Sequence, residues 1–141
     1  MKGLNTLIKL AKRTLDELRR KMVAFESQKA QLQQLSARLQ QELEHEIEMA
    51  SKQPEMGSFF GGFSKRIQKR QEEIAAEVKK IDNEINALRD KITEAFGEQK
   101  KYEIALENSK ARAKEAQNRK DTLMLDEIAS QQHQRKEKES S

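Results

Sequence analysis

Apolar residues recur along the first third of the chain at alternating spacings of four and three. Leu4, Ile8, Ala11, Leu15, Leu18, Met22 and Phe25 follow this rule without a gap. Lys29 interrupts it. Leu32, Leu39, Leu43 and Ala50 carry it on, with misses at Ser36 and Glu46. Eleven of these 14 positions are apolar over nearly seven heptads, which exceeds the three or four heptads that mark a coiled-coil helix. The spacing predicts a helix over about residues 3–52, roughly 75 Å long at about 1.5 Å per residue.

A second seam follows. Ile67, Ile74, Val78, Ile81, Ile85, Leu88, Ile92 and Ala95 share one stripe, with Gln71 as its polar exception. Gln99 interrupts it, and Tyr102, Leu106, Ala113, Ala116 and Leu123 extend it past polar misses at Ser109 and Lys120. The β-branched residues within 74–92 are poor in an isolated helix and good at a buried seam, where packing outweighs propensity. The predicted second helix covers about residues 64–132, roughly 100 Å, with a frayed tail at 133–141.

Between the seams lies the strongest breaker in the chain. Pro54 is the only proline, and Gly57, Gly61 and Gly62 cluster after it. Proline disfavours helix in the residue before it, and glycine accepts turn geometries that other residues resist. A turn is expected at about 53–63. So short a connection suits antiparallel neighbours. The expected fold is all-α, a long two-helix antiparallel coiled-coil hairpin over residues 1–141. Two extended helices in a parallel multimer would leave the Pro–Gly cluster without a purpose.

Composition agrees. Charged residues make up 37% and apolar residues 35% of the 141 residues, and mean hydropathy is −0.99. Such a chain could be disordered, but two sustained 3.5-residue repeats are not a disordered pattern. With only five Gly and one Pro there are too few turns for a sandwich, a barrel or a βαβ sheet. No stretch approaches the ~20 apolar residues of a membrane span. Lys9, Lys12, Arg13 and Asp16 break up any secretory h-region. There is no cysteine. The expectation is a soluble cytoplasmic chain.

No catalytic constellation emerges. His45 and His133 are far apart, and no HExxH, CxxC or DxDxDG pattern occurs. The glycine-rich stretch lacks the Gly-Lys-Ser/Thr ending of a phosphate loop. A two-helix hairpin offers no deep pocket for a small substrate. The chain reads as no enzyme, with no cofactor and no metal.

Three features read as contact sites. The first is basic: Lys2, Lys9, Lys12, Arg13, Arg19, Arg20 and Lys21 stand against only Asp16 and Glu17. They form either a solvated face paired with Glu94, Glu98, Glu103 and Glu107, or a positive collar for an acidic partner. Nucleic acid is not expected, since no aromatic residues are interleaved for base stacking. The second is the tip, where Phe59, Phe60, Phe63 and Ile67 either cap the core or leave an apolar contact patch. The third is an overhang. With the turn centred near Gly57, residue i lies opposite about 114 − i, so everything beyond about Ala111 lacks a first-helix partner. Leu123, Met124, Leu125, Ile128 and Ala129 lie there. An unpaired helix should be polar all round, so this one either self-associates or inserts into another protein.

The ends carry further motifs: Leu4-Asn5-Thr6-Leu7-Ile8-Lys9-Leu10 with Asp16-Glu17-Leu18-Arg19-Arg20, and Leu125-Asp126-Glu127-Ile128-Ala129. With them the whole chain resembles the flagellar export protein FliJ family, related to the type III secretion stalk protein YscO. The resemblance implies a coiled coil similar to the central stalk of rotary ATPases. It would bind a hexameric export ATPase ring and contact a membrane export gate and export chaperones, without being an ATPase. It implies a place at the cytoplasmic face of the inner membrane, held there through partners. The family's gate-contacting stripe would fall on Phe63, Ile67, Arg70 and Ile74, with Arg70 departing from a small apolar residue. The alternatives are a prefoldin-like coiled-coil chaperone and a purely structural coiled coil.

Overall fold

The computed structural model describes residues 2–53, 55 and 57–140, apart from the side chains of 57–59. Two helices account for nearly all of them: α1, Lys2–Lys52, and α2, Gly57–Ser140. The expected all-α class is what is observed, and no strand occurs among the described residues. Contacts divide the chain into two compact units. One is Arg13–Phe96, and the other joins Met1–Lys12 to Gly97–Ser141.

Arg13–Phe96 is an antiparallel helical hairpin. Its core is the pair of seams read from the sequence. Leu15, Leu43, Ile67, Ile74, Ile81, Ile85 and Leu88 are buried, and Leu18, Met22, Phe25, Leu32, Leu39, Val78 and Ile92 are half-buried. Ile74 is the most enclosed, at 2% exposure. Two of the polar seam positions, Lys29 and Gln71, find partners across the hairpin. Lys29 Nζ pairs with Asp82 Oδ1 at 2.7 Å, and Gln71 Nε2 donates to Gln40 Oε1 at 3.1 Å. Both pairs are symmetric about a point just after Glu55. Residue i therefore faces about 111 − i, three residues from the expected 114 − i, and Leu18 faces about Thr93 rather than Phe96.

The register differs because the turn is shorter than expected. The helix α1 stops on cue. Gln53 N donates to the carbonyls of Met49 and Ala50 at 3.2 and 3.3 Å, and Pro54, which follows in sequence, has no N–H to continue the ladder. But α2 starts at Gly57, not near residue 64. Gly61 and Gly62 lie inside it without positive φ. Glycine permits a turn without requiring one. Phe60, Phe63 and Ile67, at helical spacing, bury surface against α1 and offset the ~1 kcal/mol that each helical glycine costs against alanine. The expectations for Pro54 and the Phe59 side chain fall outside the described residues.

The second unit is built on the start of α1 and the later part of α2. Ile8 is buried, with Leu4, Ala11, Gln99, Tyr102, Leu106 and Ser109 half-buried. Burial ends at Ser109, and residues 110–140 are exposed throughout. The segment expected to fray remains helical to Ser140. His133 Nε2 lies 3.2 Å from Glu137 Oε1 four residues on, and Ser140 Oγ donates to the Glu137 carbonyl at 3.2 Å. The i, i+4 contact of His133 with Glu137 supports a helix that nothing else covers.

Candidate partner-binding surfaces

The exposed reach of α2, residues 110–140, carries four large apolar side chains in water: Leu123, Met124, Leu125 and Ile128. Leu125 is 66% and Ile128 46% exposed. These two lie three residues apart and share a face, with Met124 and Ala129 each one turn from its neighbour on it. The turns before them are held by local polar contacts. Gln117 Nε2 donates to Asp121 Oδ1 at 3.1 Å, Arg119 pairs with Glu115 at 2.7 Å, and Thr122 Oγ1 donates to the Asn118 carbonyl at 2.9 Å. The surface is thus a preformed helix with an uncovered apolar face.

Within the paired part of the same unit, before burial ends at Ser109, a polar cluster sits at the seam position Gln99. Gln99 Nε2 donates to Glu103 Oε1 at 3.0 Å, and Lys100 Nζ lies 3.3 Å from Glu103 Oε2. The hydrogen bond from Gln99, then that from Lys100, holds the Glu103 carboxyl below the usual value. Burial opposes this, and the charges of Lys100 and Lys12 add smaller contributions to the lowering. Tyr102 is pushed the other way, because its hydroxyl donates to Glu98 and the carboxylate's charge disfavours the phenolate. The Gln99 Oε1 atom is buried with no partner among the described residues.

At the tip of the Arg13–Phe96 hairpin an open groove of about 350 Å³ is lined by His45, Glu46, Met49, Ala50, Gln53, Phe60, Phe63 and Arg66. The expected stripe divides here. Ile67 and Ile74 belong to the hairpin core. Phe63 lines the groove half-buried, and Arg70 is turned to Glu73 and Glu77, its Nη1 3.4 and 3.7 Å from their carboxylates. Only Phe63 and Arg70 of the four thus offer surface to a partner with the hairpin closed. Met49 and His45, on α1, join the same groove. They stand off the 4,3 seam, so the spacing gave no sign of them.

Arg13, Arg19 and Arg20 are exposed, and among the described residues none of them makes an ion pair. Of the expected acidic partners, Glu103 feels the charge of Lys12. The arginines are thus exposed positive charge, with only Asp16 and Glu17 near them along α1. No group of three or more His, Cys, Asp or Glu side chains among the described residues could hold a metal ion. Nor is any helix among them long and apolar enough to cross a membrane.

The family model of the flagellar FliJ protein matches residues 1–138. The chain is also similar to the flagellar FliJ protein of Caulobacter vibrioides, in strains NA1000 / CB15N and ATCC 19089 / CIP 103742 / CB 15. Each is 23% identical over 124 residues, covering 88% of this chain and 89% of the relative. No solved structure matches. Helix content, paired seams and near-complete coverage agree. The chain belongs to the flagellar FliJ family, whose members are structural adaptor components of the flagellar protein-export apparatus.

Proposed function

We propose that this chain is a stalk or adaptor that links the export ATPase ring to the membrane export gate. The observation that carries the reading is the uncovered apolar face of Leu125 and Ile128 on a preformed helix. Leaving two such side chains in water forgoes roughly 1.5–3 kcal/mol each relative to full burial. A ring that encloses the helix recovers that energy. Arg112, Lys114, Arg119 and Lys120, just before the face, would steer the helix into an acidic pore. The exposed Arg13, Arg19 and Arg20 form a second positive surface for the ring's acidic rim.

The gate contact falls at the other surface. Phe63 in the tip groove and Arg70 beside it supply the side chains, with Ile67 and Ile74 as the rigid floor that sets their spacing. Export chaperones are further partners. The protein works at the cytoplasmic face of the inner membrane, held there by its partners. A prefoldin-like reading finds no support, because the connection at 53–56 is too short for the strands that such subunits use to assemble.

The test is a pull-down with the export ATPase and the gate subunit encoded by the same genome. Leu125→Glu with Ile128→Glu should abolish ATPase binding and spare the gate. Phe63→Ala should weaken gate binding and spare the ATPase. If the double glutamate variant binds the ring normally, residues 110–140 are not the insertion element. Equal loss of both partners in either variant would indicate unfolding.

A further inference from the structure

The apolar side chains of residues 110–140 are not spread along that exposed reach. Met124, Leu125 and Ile128 stand at its middle, and Leu125 is its central residue. The 4,3 stripe through Leu125 and Ile128 runs from Lys114 to Glu139 and is exposed throughout. This stripe is complementary to itself read backwards. Against a reversed copy centred between Asp126 and Glu127, Leu125 meets Ile128, Asp121 meets Gln132, Asn118 meets Arg135 and Lys114 meets Glu139. On its edges Met124 lies beside Ala129, and Glu115 faces Lys136. Lys120, Asp126, Glu127 and His133 fall on the far side of the helix, so the charges around the centre do not meet their like. Among the described residues neither Lys114 nor Glu139 makes an ion pair.

We propose that a second copy of this chain covers the face, the two reaches pairing antiparallel about a twofold axis beside Asp126 and Glu127. The contact is isologous and uses one stretch of one helix from each copy, so every pair forms twice. The central placement of the apolar residues is what such pairing needs. An apolar patch at one end of the reach would meet polar residues, whereas a central one meets itself. Parallel pairing would also join Leu125 to Leu125, but it stacks Lys114, Asp121, Arg135 and Glu139 each on its own like charge. Charges therefore select the direction, and polar core positions fix the register at a cost in stability. Space allows the contact. With its Glu139 against Lys114, the second copy's helix ends short of Ser109, where cover by α1 stops. An enclosing ring takes the same side chains, so ring and second copy exclude each other, and the dimer is the form of the free protein. The dimer does not rest on the ring reading.

The test uses the full chain and sedimentation equilibrium, over a concentration series extending to the solubility limit, with no ATPase present. Lys114→Glu and Glu139→Lys, made separately, each turn both outer pairs repulsive and should raise the dimer dissociation constant about tenfold or more. Mixed in equal amounts, the two variants should form a heterodimer close to wild-type strength, because both outer pairs again join opposite charges. The double variant with both changes in one chain should regain the wild-type dimer for the same reason. Circular dichroism should show unchanged helicity in all of them, since both positions are exposed. Direction is read separately with a spin label on the exposed Ala116 in Ala116→Cys. Antiparallel reaches place the two labels about 30 Å apart along the axis, and parallel ones place them side by side. A wild-type chain that stays monomeric throughout the series would overturn the proposal and leave the face to a different protein. Reversals without effect, variants that do not rescue each other, or adjacent Ala116 labels would overturn it equally.

Discussion

Lys29 Nζ and Asp82 Oδ1 meet at 2.7 Å across the Arg13–Phe96 hairpin, at a seam position where the 4,3 pattern calls for an apolar residue. The lysine runs its methylenes along the seam and delivers its ammonium to the opposite helix. With Gln40 and Gln71 it ties the two helices in one register. A purely apolar seam would tolerate a slide of one heptad, and a fixed polar pair does not.

Both side chains of that pair are about a third or more exposed, so its energy is screened. A double-mutant cycle on Lys29→Ala and Asp82→Ala, read by urea unfolding, should give a coupling of about 0.2–1 kcal/mol. Lys29→Leu should raise stability by about 1 kcal/mol through added apolar burial while leaving Asp82 in water. A large loss in Lys29→Leu would show that the ion pair carries much more of the stability than this.

Ile74 is the most enclosed side chain of the core. Ile74→Ala should cost about 2–5 kcal/mol in thermal or urea unfolding. Val23→Ala, on a side chain 65% exposed, should change stability by no more than about 0.5 kcal/mol. Comparable effects at the two sites would contradict the seam.

Gly61 and Gly62 have open space where a Cβ would stand and no positive φ. Alanine at either position should stabilise the chain by up to about 1 kcal/mol, since the residue is already helical. Destabilisation would mean that the segment turns there after all. Differential scanning calorimetry on each single variant decides it.

Glu103 should titrate below an ordinary glutamate in side-chain NMR, and Gln99→Ala should move it back up, because the hydrogen bond from Gln99 is the leading cause of the lowering. A depressed carboxyl contributes stability above its unfolded value and loses it as pH falls through the folded one. The unit that pairs Met1–Lys12 with Gly97–Ser141 should therefore loosen on acidification below the usual glutamate range. Tyr102 is the chain's one tyrosine and there is no tryptophan, so its ionisation can be followed by absorbance. It should ionise above the usual tyrosine value and come down in Glu98→Gln.

The first seam, and the second as far as Ser109, were legible in the sequence almost residue by residue, whereas Ala113, Ala116 and Leu123, which continue the second spacing, are exposed. Helical burial follows a fixed period, and a coiled coil turns that period directly into contact. Of the first seam only Glu46 is fully exposed, and it is one of the three positions where the pattern itself fails. The uncovered reach beyond Ser109 was legible too, because it follows from the unequal lengths of the two seams. Where the turn falls was not. Gly61 and Gly62 are compatible with turn and helix alike, and the choice rests on what Phe60, Phe63 and Ile67 bury against α1, a contact between residues distant in sequence. The three-residue change of register follows from that choice. So does the division of the stripe at Phe63, Ile67, Arg70 and Ile74. One helix alone leaves all four on a common face, and only the position of the second helix decides which of them the core takes and which remain for a partner.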